Sequence, residues 1–154
     1  GGGAYAKQFI DVSSIASSTI VVGLGGAGGG NAVAGAVGGT SSWSDGTNVI
    51  SCTGGGLPEV SVTIPEGGAG GVATGTGAQM LVNGQNGAVN SGYSNQGGDS
   101  FLGLGGMNSK EVNTSNPGDW HGTGYGSGGA GGCGRYYQGG GDGGAGVVIV
   151  WEYK

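Results

Sequence analysis

Gly23-Leu24-Gly25-Gly26-Ala27-Gly28-Gly29-Gly30 opens the stretch whose reading decides the fold. From residue 23 to 38 every third position is small: Gly23, Gly26, Gly29, Ala32, Gly35, Gly38. A second frame runs from 122 to 146 through Gly122, Tyr125, Gly128, Gly131, Gly134, Tyr137, Gly140, Gly143 and Gly146. Three residues is the repeat of the polyproline II helix, which makes no hydrogen bonds within its own chain. A glycine edge lets a second backbone approach closely enough to supply them. The competing reading is a flexible glycine linker. Two features oppose it: the chain carries clear strand signals, and only 8% of its residues are charged, too few to hold it expanded. The frame predicts that Val at Gly131 or Gly143 costs more stability than Val at Gly97.

Glycine supplies 45 of the 154 residues, and the hydrophobic fraction is 35%. Large apolar side chains are too few for a full core across the chain, so backbone contacts must carry part of the fold. The length fits a single domain, residues 1–154. Net charge is −5, with Lys7, Lys110, Arg135 and Lys154 the only basic side chains. That sign and scatter exclude a phosphate-binding stripe, so no nucleic acid partner is expected. No signal peptide, lipidation motif or membrane-length apolar run is present, and no membrane insertion is expected. The chain opens on Gly1 rather than Met, as a processed or partial product would.

Helical periodicity is absent over any ten glycine-free residues. Strands are expected near 5–12, 19–24, 49–52, 59–64 and 147–153, with a short candidate at 80–82. The strict alternation of Val60, Val62 and Ile64 marks a half-buried strand between Pro58 and Pro65. Residues 147–153 form the longest β-branched and aromatic run, and read as a central strand covered on both faces. Residues 5–12 and 147–153 are expected in one sheet or one small sandwich. Glycine-rich layers fill 23–39, 67–98 and 122–146. The fold class is all-β and glycine-rich. It is a small β-sandwich with its N- and C-terminal strands close together, polyglycine (polyproline II) helices in the long loops, and essentially no α-helix.

No catalytic, cofactor or metal site is expected, and the chain reads as a non-enzyme. Gly23, Gly25 and Gly28 fit a dinucleotide-binding GxGxxG only loosely, and no helical pattern follows to present its N-terminus to a pyrophosphate. His121 beside Asp119 lacks the partners of a triad or a metal site. Cys52 and Cys133 leave two readings open. They are free buried thiols, or one bridge closing a loop of about 80 residues, worth roughly 4 kcal/mol in the chain-entropy model.

Aromatic side chains among glycines are more informative, because rigid aromatic faces give contact area at low entropic cost. Trp43, Tyr93, Trp120, Tyr125, Tyr136 and Tyr137 fall in expected loops, whereas Tyr5, Phe9, Trp151 and Tyr153 fall in expected strands. The densest set of aromatic and charged groups outside the strands is Trp120, His121, Tyr125, Arg135, Tyr136 and Tyr137. These are the candidate receptor-binding residues, although any one aromatic in a glycine-rich fold can instead be a packing anchor.

Three places carry a family resemblance. Residues 1–12 running into 19–28, the step Gly38-Gly39-Thr40-Ser41-Ser42-Trp43 with the strand 49–56 after it, and the ending 141–153 resemble the glycine-rich domain at the ends of bacteriophage tail fibres. Residues 59–65 and 107–120 depart from that pattern. The resemblance implies a virion protein exposed to the extracellular medium that recognises a host surface glycan or outer-membrane protein. It implies neighbours among tail-fibre or virion subunits, a homotrimer being one arrangement. A structural cap, spacer or decoration module is the alternative. An ice-binding protein is third, disfavoured by the Trp, Tyr and long β-branched strands.

Overall fold

The computed structural model describes residues 1–30, 33–58, 67–90, 94–107, 120–131 and 139–153. Ten short strands and no helix occur among them. Antiparallel pairing joins β2 (Thr19–Val21), β3 (Ser41–Ser44), β4 (Val49–Cys52) and β5 (Ala73–Gly75) into one sheet in the order β2-β3-β4-β5. β1 (Tyr5–Lys7) pairs with β6 (Met80–Val82), Tyr5 opposite Val82. This pair lies against the β4–β5 side of the larger sheet, giving two small layers. β7 (Ala88–Asn90) with β8 (Ser94–Gln96), and β9 (Leu102–Leu104) with β10 (Thr123–Tyr125), form two more antiparallel pairs.

The turns follow local chemistry. Between β3 and β4, Asp45 Oδ1 accepts from the backbone N–H of Thr47 and Asn48, and Oδ2 accepts from the Asn48 side-chain amide. Gly46 takes φ +92° there, a left-handed value that glycine adopts without a Cβ penalty.

Between the strands lie extended glycine rods, bonded side to side with a period of three. Gly146, Gly143 and Gly140 donate to the carbonyls of Gly23, Gly26 and Gly29 at 2.9, 2.9 and 2.8 Å. On another side of the same rod, Gly39, Ala36 and Val33 donate to Leu24, Ala27 and Gly30 at 2.8, 2.9 and 3.2 Å. The spacing repeats where Gly84 and Gly87 donate to Gly71 and Gly68, and where Thr53 and Gly56 donate to Val72 and Ala69. Each rod satisfies its peptide groups through neighbours, as a bundle of polyproline II helices must. Close approach requires glycine: a Cβ on Gly25 or Gly28 would fall on the carbonyl oxygen of Gly143 or Gly140.

The interior is therefore backbone. Ala73 and Ala130 are the only buried hydrophobic residues among those described, Ser127 is the only buried polar side chain, and the remaining buried residues are glycines such as Gly2, Gly71, Gly98 and Gly128. Ser127 Oγ donates to the carbonyl of Gly124 at 3.2 Å. Phe9, Leu24, Leu104, Trp151 and Tyr153 are exposed.

Strands at 49–52 and 80–82 form as expected, 5–12 shortens to Tyr5–Lys7, and 19–24 shortens to Thr19–Val21. Residues 59–64 lie outside the described residues. The run 147–153 corrects the expectation of a covered central strand. It forms no strand, and Ile149, Val150, Trp151 and Tyr153 are exposed. β-propensity reports how well a side chain fits a pleated, half-buried surface, and here no strand pairs with the run to provide one. Residues 5–12 and 147–153 both contribute to the lining of one groove and do not share a sheet.

Candidate functional site

Hydrogen-bond partners share a height along the rods, so the register maps the bundle from end to end. Gly23 and Gly146 lie level at the sheet end, and Gly29 and Gly140 lie level at the opposite end. By the same logic Gly68 is level with Gly87, and Ala130 with Trp120 and Gly141. Gly30, Val33, Gly67, Met107 and Trp120 thus fall toward the opposite end. The β7–β8 hairpin, joined there by the Gln96–Met107 bridge, does too. At about 3.1 Å per residue, the seven steps from Gly23 to Gly30 separate the ends by roughly 22 Å.

Trp120 and His121 sit at this far end. Trp120 is half-buried, and its carbonyl accepts from Ala130 N–H at 2.8 Å. His121 is exposed and braced. Its Nδ1 accepts from the backbone N–H of Asp142 at 2.9 Å, and Asp142 Oδ2 lies 3.5 Å from the same nitrogen. Asp142 Oδ1 in turn accepts from Gly28 N–H at 2.6 Å. With Nδ1 accepting, the neutral imidazole carries its proton on Nε2. Three rod segments, around 28, 121 and 142, are thereby cross-linked through side chains.

Tyr125 does not join them. It ends β10 beside Leu102, with its carbonyl accepting from Ser100 Oγ. Its pairing with Leu102 places it toward the sheet end, away from Trp120. Arg135, Tyr136 and Tyr137 lie outside the described residues, as do Tyr93 and Cys133. Cys52 is a free, half-buried thiol on β4, and burial pushes its pKa up.

The loosely matched GxGxxG amides are committed elsewhere. Gly23 N–H bonds Ser41 Oγ at 3.0 Å, Gly28 N–H bonds Asp142, and no helix follows. No group of three or more His, Cys, Asp or Glu able to hold a metal occurs among the described residues. No helix among them is long and apolar enough to cross a membrane.

The sheet end carries a feature that the strand signals concealed. A groove of about 1680 Å³ has residues 5–12, Trp43, Ile50 and 147–153 in its lining, and continues along the rods to Gly29 and Gly140. Sequence reading assigned Phe9, Trp151 and Tyr153 to strands and hence to packing, yet all three are mostly exposed. Tyr5 does pack, stacking on Phe101 with ring centroids 4.3 Å apart. The available signal was the shortage of apolar partners elsewhere in the chain.

No protein family, curated protein or solved structure matches this chain.

Proposed function

We propose that this chain is a non-enzymatic receptor-recognition domain at the tip of a bacteriophage tail fibre, exposed on the virion, whose contact face is the end of the rod bundle remote from the sheets. One observation supports the reading above others: Trp120, the braced His121 and the β7–β8 pair lie at one end of a scaffold held by backbone hydrogen bonds. Binding groups at the end of such rods are positioned by a frame that does not depend on their identity. Trp120 and His121 belong to that face, and Arg135, Tyr136 and Tyr137, which lie outside the described residues, remain the sequence's further candidates. Tyr125 is left out by its position on β10. The partner is a host surface glycan or outer-membrane protein, met by aromatic faces beside polar groups.

The test pairs adsorption with stability on Trp120→Ala and Tyr136→Ala. The expected result for at least one of them is a tenfold or greater loss of binding to host cells, about 1.4 kcal/mol, with an unchanged thermal midpoint. Parallel loss of stability would return these aromatics to packing, and full adsorption by both variants would favour the structural cap.

A further inference from the structure

Asn83-Gly84 and Asn86-Gly87 are the two Asn-Gly pairs of the chain, and both lie on a rod rather than in a turn. Neither glycine takes a positive φ. Each pair is tied twice to the rod beside it. The side-chain oxygens of Asn83 and Asn86 accept from the N–H of Ala73 and Gly70 at 3.1 and 2.8 Å. The following amides, of Gly84 and Gly87, donate to the carbonyls of Gly71 and Gly68, both at 2.9 Å. The side-chain oxygen thus holds one residue of the neighbouring rod, and the glycine amide holds the residue two before it. Asp142-Gly143 repeats the pattern on the rod at 23–30, where Asp142 Oδ1 accepts from Gly28 and Gly143 donates to Gly26. The same staple is therefore built three times.

The chemistry held in check by this staple is intrinsic to Asn-Gly. Glycine has no Cβ to obstruct ring closure, so its amide nitrogen can attack the preceding side chain. The nitrogen gives its proton to hydroxide and bonds Cγ, the Cγ–Nδ2 bond breaks, and ammonia leaves after taking a proton from water. Water then opens the cyclic imide on one side or the other, leaving aspartate or isoaspartate. We propose that Asn83 and Asn86 are self-modifying sites of this kind, kept unreacted by the staple and released when the rods at 68–73 and 83–87 part. Both asparagines are exposed, so hydroxide and water reach them. What the fold withholds is geometry. The attacking nitrogen points its proton at one carbonyl and Oδ1 is tied to another peptide, so neither group turns toward the other. Modification runs one way. Isoaspartate adds a methylene group to the main chain, and the rods leave no room for it: a Cβ on Gly70 or Gly67 would already fall on the carbonyl oxygen of Gly84 or Gly87. A chain that has opened and reacted to isoaspartate does not close again in register.

Peptide mapping by mass spectrometry on the full chain at mildly alkaline pH tests this, beside amide exchange under the same conditions. In guanidinium chloride both sites are expected to yield aspartyl and isoaspartyl peptides. In the native chain both rates are expected to be at least about tenfold lower, and lower by the same factor as exchange of the Gly84 and Gly87 amides, because one local opening governs both processes. Ala73→Pro deletes the donor to Asn83 Oδ1 at the first residue of β5, a position that accepts proline, and leaves the Asn-Gly pair itself intact. It is expected to raise the native rate at Asn83 severalfold, with Asn86 as the internal reference. Reaction as fast in the native wild type as in denaturant overturns the proposal, and so does suppression that does not track amide protection. An unchanged rate at Asn83 in folded Ala73→Pro overturns it equally, and if that variant does not fold, the wild-type comparison decides.

Discussion

At Gly97 and Gly143 the same substitution meets two different surroundings. A Cβ on Gly97 would fall on the carbonyl oxygen of Gly128, whereas one on Gly143 would lie 3.0 Å from the carbonyl oxygen of Ser127. The sequence frame ranked Gly97 as the tolerant position, and the packing reverses that order. Gly143→Val is expected to cost about 1–3 kcal/mol, the usual range for overpacking, and Gly97→Val distinctly more. Thermal melts of the two variants decide it, and equal midpoints would refute the ranking. The frame failed at Gly97 because its phase is set by each rod's own neighbours, not by one count along the chain. It succeeded where both partners were in phase, at 23, 26 and 29 against 146, 143 and 140. Asp45 offers a second residue-scale test. The Asn48 side-chain amide foremost, then the backbone amides of Asn48 and Thr47, hold its carboxyl below the ordinary 3.8. A depressed pKa contributes stability above the unfolded value and loses it as pH falls through the folded one. Protection of the Thr47 and Asn48 amides, relative to their intrinsic exchange rates, should therefore fall as pH drops below 3.8, and Asp45→Ala should abolish that dependence.

Elements were legible in proportion to how much their side chains decide. β4 and β6 stood out as short β-branched or aliphatic runs, and both formed with the expected bounds. β5, β7, β8 and β10 were hidden in segments read as glycine-rich layers, because Ala-Thr-Gly or Thr-Gly-Tyr carries no alternation to detect. In β5 and β10 only a threonine hydroxyl, of Thr74 on Ser51 and of Thr123 on Leu104, adds a side-chain hydrogen bond to the backbone ladder. The reverse error occurred at 147–153, where propensity was strong and a partner was lacking. The candidate site divided on the same grounds. Trp120 and His121 share an end because rod register puts them there, while Tyr125, only a few residues on, is carried away by β10. His121→Ala is expected to remove the link from Asp142 while changing the thermal midpoint little, because an exposed hydrogen bond contributes at most about 1 kcal/mol. A loss of several kcal/mol in a melt would make that cross-link a main support of the bundle.

Across the whole molecule, the fold separates a side-chain-poor interior from a side-chain-rich surface at both ends. Because the buried residues among those described are glycines with Ala73, Ala130 and Ser127, their unfolding exposes mostly peptide groups. Hydration of apolar surface raises the heat capacity and hydration of polar surface lowers it, and ordinary domains net about 12–15 cal/mol/K per residue. Calorimetry on this chain should return a per-residue increment well below that range, and a value inside it would mean that a conventional apolar core exists. A small increment flattens the dependence of stability on temperature. The bundle would then lose little cohesion on cooling, and would hold together in cold water, where folds driven by oily interiors begin to weaken.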